Sequence, residues 1–255
     1  MVYLHDGSFE GVLSGIYTMF YSKASVEEGE LVAKDSYQQT FFTLTLPVVT
    51  NREFAYKVAK SIYEHFGQEG FKCVYQAYLA EDGAYGTTLF RALKVAYKLG
   101  GHAFEALHYP DILKLNQWST RVAREAHLFL GLLRFAELDN GLYYAPFEPT
   151  LNIIGLLTSH FSQRLADQSW VIHDTKRKIG AFYDQETVVL NTLLEIPTLV
   201  YSDREVDFQT LWREYVAHIA IEARTNPKCQ QQHMPKKYWK FLTEKNVVNF
   251  VENTH

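Results

Sequence analysis

LLRFAELDNGLYYAPF, residues 132–147, carries two short alternating apolar and polar runs on either side of Asn140-Gly141. Asn-Gly is the strongest short hairpin signal, because both residues tolerate positive φ. The reading decides the fold, because a second pair of strands follows in SWVIHDTKRKIGAFYD, residues 169–184, around a charged turn. Between the two pairs, Leu151, Ile154, Leu157, Phe161 and Leu165 recur at helical spacing. Strand, strand, helix, strand, strand predicts an α+β fold: a largely antiparallel sheet of two hairpins around a helix, backed by helices.

Working outward, residues 111–130 form an amphipathic helix with Ile112, Leu115, Trp118, Val122, Ala126 and Phe129 facing inward. A late helix over 205–224, with Phe208, Leu211, Trp212, Tyr215 and Ile219 as its apolar stripe, is expected to cover the sheet. Towards the N-terminus, residues 2–22 predict a strand, a turn at Asp6-Gly7, and a helix capped by Ser8. QTFFTLTLPVV, residues 39–49, reads as a second strand. From Arg52 the pattern turns helical, with Phe54, Val58, Ile62 and Phe66 on one face, and helices run on to Gly100-Gly101. The expected organisation is a mainly helical N-terminal α+β lobe over 1–100 and a second lobe over 101–255, packed as one unit.

The chain has 255 residues, 47% of them hydrophobic, enough for a substantial core. The start lacks the basic and apolar regions of a secretory signal, and no window is apolar enough to span a membrane, so a cytoplasmic protein is expected. Cys73 and Cys229 lie far apart in sequence and form neither a disulfide framework nor a paired metal motif. A formal charge of −4 argues against a surface that is basic all over, so any nucleic-acid contact must be local.

Ten histidines include no HExxH and no ligand-spaced cluster, so no metal and no cofactor are expected. Serine-hydrolase elbows and nucleotide-binding glycine loops are equally missing. What remains is basic. Arg121, Arg124 and His127 share a helix stripe, and His160 and Arg164 lie four apart on another. Lys176, Arg177 and Lys178 crowd the turn after His173-Asp174, while Lys236, Lys237 and Lys240 surround Tyr238 and Trp239. Guanidinium forks and ammonium groups suit phosphate oxygens, and an exposed indole can stack on an unpaired base. Each group also has an ordinary structural reading: a solvated helix face, a capped turn, or, for Trp239, a core side chain.

Residues 142–177, with residues 211–239 and the opening YLHDGSFEGVL, resemble a bacterial family described as DNA-metabolism or DNA-repair proteins. That family is built on domain of unknown function 4130. The resemblance implies a gene usually paired with a radical-SAM protein that modifies or repairs DNA. The positions it marks are His160, Phe161, Arg164, Trp170, His173, Asp174, Arg177, Met234, Pro235, Tyr238 and Trp239. At Leu128 the chain departs from a family pattern that is basic there, which interrupts the basic helix face. Two cysteines cannot supply the three clustered thiolates of a radical-SAM cluster, so any radical chemistry belongs to the partner.

The expectation is a DNA-engaging or partner-engaging companion of a radical-SAM enzyme. Its DNA contact is weak and local, through Arg164, Lys176, Arg177, Lys236, Lys237, Lys240 and Trp239. One alternative is a self-sufficient hydrolase or nuclease-like enzyme with His173, Asp174 and His160 as catalytic candidates and Arg164 and Arg177 holding phosphate. Adjacent strand residues point to opposite faces, which sets His173 against Asp174 as a pair. The other alternative is a protein-binding scaffold without DNA contact.

Overall fold

A computed structural model describes residues 1–22, 29–39, 42–195, 200–221 and 226–245. The chain divides into two compact units, Met1–Ala123 and Arg124–His255. The boundary falls inside a helix, α4 (Pro110–Leu132), rather than at Gly100-Gly101. The cause lies in the helix's own stripe: Ile112, Leu115 and Trp118 belong to the core of the first unit, whereas Phe129 packs edge-on against Phe147 in the second.

In the first unit, β1 (Val2–His5) is the centre of a three-stranded parallel sheet, flanked by β2 (Glu30–Ala33) and β3 (Thr45–Pro47). The strand expected over 39–49 is thus reduced to three residues, and part of that stretch lies outside the described residues. β2 is too short for alternation to reveal. α1 (Phe9–Tyr21) starts as read, with the Ser8 hydroxyl accepting the Gly11 N–H. α2 (Arg52–Leu79) is capped by Asn51 and broken at Gly67, whose φ of 68° and ψ of −170° only glycine adopts without strain. Val58, Ile62 and Phe66 of α2 pack with Leu89, Phe90 and Leu93 of α3 (Tyr85–Leu99).

The second unit is built on a five-stranded sheet. Its order is β4 (Ala136–Glu137), β5 (Tyr143–Phe147), β6 (Trp170–Asp174), β7 (Ile179–Tyr183) and β8 (Val188–Thr192). Three of its four pairings are antiparallel, as expected for an α+β sheet; β5 and β6 run parallel, joined through α5 (Ile154–Arg164). The first hairpin closes with three residues rather than two. Leu138 N–H donates to Leu142 O, and only Gly141 takes positive φ (78°).

α6 (Asp203–Ile219) corrects the stripe expected to cover the sheet. Phe208, Leu211, Tyr215 and Ile219 are 55–62% exposed. The helix instead turns the neighbouring flank inward, with Glu205 buried, Gln209 and Trp212 half-buried, and the Trp212 indole N–H donating to Glu244. Periodicity finds an apolar face; it does not name the face that packs. The final residues expected for this helix, 222–224, lie outside the described residues. α7 (Pro227–His233) and a short 3₁₀ helix, Lys236–Phe241, follow. No helix among the described residues is long and apolar enough to cross a membrane.

Candidate nucleic-acid interface

β6 ends at Asp174, and the turn to β7 is organised by that one buried carboxylate. Its Oδ1 accepts the Lys176 N–H at 3.1 Å and the Arg177 N–H at 3.0 Å. Its Oδ2 accepts Arg177 Nη1 at 3.0 Å. The guanidinium continues outward, donating to Pro149 O at 3.4 Å and, through Nη2, to Thr150 O at 2.9 Å. Lys176 Nζ donates to the same Thr150 carbonyl at 3.1 Å.

The second basic cluster reaches the same loop from the C-terminal 3₁₀ helix. Lys237 Nζ donates to Thr150 Oγ1 at 2.8 Å, and Lys240 Nζ pairs with Glu148 Oε2 at 2.5 Å. Between them on that helix, Tyr238 is buried and its hydroxyl donates to Glu125, a carboxylate 5% exposed on the second half of α4. Glu125 also accepts the Thr150 N–H at 2.9 Å and the Leu151 N–H at 2.7 Å. Burial, followed by the neighbouring carboxylate, holds the Tyr238 phenol well above its usual range.

Residues 148–151 are therefore pinned from inside by Glu125 and ringed from outside by cations drawn from two separate sequence motifs. Four cationic residues, Lys176, Arg177, Lys237 and Lys240, meet the carboxylates Glu125, Glu148 and Asp174 around this loop. The local balance is positive on a chain of net charge −4. Sequence reasoning missed Glu125 and Thr150. Glu125 had a visible signal, since it follows Val122 by three and precedes Phe129 by four on the inward face of α4. Thr150 had none.

Two expected residues lie elsewhere. His160 and Arg164 are exposed on α5. A helix joining two parallel strands runs back along them, so its last turn lies at the Trp170 end of β6. The Tyr183 hydroxyl, donating to Ala166 O at 3.3 Å, fixes that end. The charged turn lies at the other end, one helix length or about 16 Å away. Trp239 sits on the 3₁₀ helix, half-buried, with its indole N–H donating to Met234 O at 2.9 Å and Lys245 Nζ 4.6 Å from its ring. Lys236 is exposed.

His173 is only 1% exposed. The Tyr144 hydroxyl lies 2.6 Å from its Nδ1, and its Nε2 lies 3.0 Å from Leu193 O, consistent with a neutral ring that accepts from the tyrosine and donates to the carbonyl. Burial holds its pKa below the usual histidine value. Asp174, one residue on, serves the turn and Arg177, so the two do not form a pair. Among the described residues, no group of three or more His, Cys, Asp or Glu is placed to hold a metal.

No curated protein matches the chain. The family model for the domain of unknown function DUF4130 matches residues 84–244, from the start of α3 through the 3₁₀ helix and Glu244, and so includes every group that meets at Thr150. The chain belongs to that family.

Proposed function

We propose that the second unit contacts DNA through the corner around Thr150, and that the chain serves DNA repair or metabolism as the companion of a radical-SAM enzyme. The observation that supports the DNA contact is the meeting of Lys176 and Arg177 with Lys237 on one residue, from turns that lie about sixty residues apart in sequence. The radical-SAM partnership rests on the family resemblance and on the two-cysteine limit. The exposed stripe Phe208, Leu211, Tyr215 and Ile219 favours the partner-engaging half of the reading, since contiguous apolar surface marks interaction sites. His173 is enclosed and hydrogen-bonded at both nitrogens, and we assign it a structural role.

The test is a titration of labelled single-stranded and duplex DNA across a salt series. With about two to three phosphate charges neutralised by the lysines of this corner, log affinity should fall against log salt with a slope of about −2 for duplex. Replacing both Lys176 and Lys237 with Gln should flatten that slope by about two. Absence of binding to either DNA form at low salt, or unchanged binding by the double variant, would reject this surface.

A further inference from the structure

Resting on the reading of this corner as a DNA contact, we infer that it takes one terminal phosphate, a phosphomonoester at a DNA end or nick, in preference to a run of backbone diesters. Surfaces that track a strand spread their cations along a groove so that successive phosphates each find one. Here the cations converge. Lys176 Nζ and Arg177 Nη2 share a single acceptor, Thr150 O, so they are no more than 6.0 Å apart, the sum of their two bond lengths. Lys237 Nζ reaches the hydroxyl of the same residue at 2.8 Å.

A phosphomonoester carries about −1.5 to −2 charges at neutral pH and offers three terminal oxygens, whereas a backbone diester carries one charge. Two adjacent lysine ammonium groups, beside a guanidinium already paired with Asp174, suit the former. The nearby carboxylates are already committed: Asp174 to Arg177 and two turn amides, Glu148 to Lys240, and Glu125 to Tyr238 and the loop amides. Lys176, Lys237 and Thr150 are exposed, so both ammonium groups can exchange their bonds to Thr150 for bonds to a phosphate. Arg177, with its side chain 10% exposed, stays in place and keeps the loop carbonyls positioned beneath it.

The experiment uses the full chain and one internally labelled oligonucleotide sequence, made with a 5′-phosphate, with a 3′-phosphate, or with hydroxyls at both ends. At least one phosphorylated form should bind at least about tenfold more tightly than the hydroxyl form, which is one charge-assisted hydrogen bond's contribution. Millimolar inorganic phosphate should erase that advantage. Lys176→Gln and Lys237→Gln should each reduce it while leaving the unfolding curve unchanged. Equal affinity for all three forms overturns the inference and leaves the DNA reading standing, and the same holds if inorganic phosphate binds but the oligonucleotides are not discriminated. Failure of every form to bind removes the DNA reading and the inference together.

Discussion

Asp174 shows how one side chain can be legible and still be misread. The sequence places it before a turn, and the turn-capping role is what the structure holds, yet the same position invites a catalytic partnership with His173. The burial of both decides between the two, and burial is a property of the whole sheet. β6 is buried at every residue, so no alternation marks which neighbour faces a pocket. Asp174→Ala should destabilise the second unit by about 3–5 kcal/mol, because it leaves Arg177 buried beside an empty acceptor site. Asp174→Asn should lose less, since an amide oxygen still accepts the two turn N–H groups. Urea denaturation of both variants is the check.

His5 carries a pH dependence of its own. Burial lowers its pKa from 6.5 to about 4, against a smaller upward pull from Asp6. Between these values the unfolded chain holds a proton that the folded chain does not. Stability from this group is therefore complete above pH 6.5 and is lost as pH falls towards 4, at roughly 1.4 kcal/mol per pH unit. In His5→Asn the replacement oxygen can still accept the Gly7 N–H, so denaturation midpoints at pH 7 and pH 5 should lie closer together than in the parent chain.

Elements fared better than their surroundings. The Ser8 cap, the inward stripe of α4 and the hairpin at Gly141 follow from local chemistry, and local chemistry is what a sequence displays. The parallel pairing of β5 with β6 does not, because it depends on where α5 returns the chain. The candidate site was half legible for the same reason. Both lysine clusters were visible, but the threonine that joins them is an unremarkable loop residue whose importance lies in its neighbours. α6 turns this into a measurement: Leu211→Lys should change stability by no more than about 0.5 kcal/mol, as for a surface site, whereas the covering role expected from periodicity would cost about 2–5 kcal/mol. Thermal or urea unfolding separates the two readings.

For the molecule as a whole, thiol chemistry reports which parts are closed. Burial pushes the Cys73 thiol up to about 11, while Cys229 is exposed. Alkylation of the native chain near pH 8 should modify Cys229 readily and Cys73 only after denaturant is added. Mass spectrometry of the two cysteine peptides reads the difference, and equal native labelling would show that the α2 surface opens on the timescale of the reaction.

α4 belongs to both units, and this sets an order in time. During synthesis the first unit cannot complete its core until Trp118 has been made, because that residue is part of the core. Glu125 is made seven residues later, but its buried partner Tyr238 lies 113 residues further along the chain. At roughly 5–20 residues per second the carboxylate waits about 6 to 23 seconds for the hydroxyl that covers it. Over that interval the nascent chain carries a completed N-terminal half followed by a helix whose continuation is still open to solvent or to a chaperone. Slowed translation after codon 125 should lengthen the protease-sensitive life of the second half and leave the first untouched.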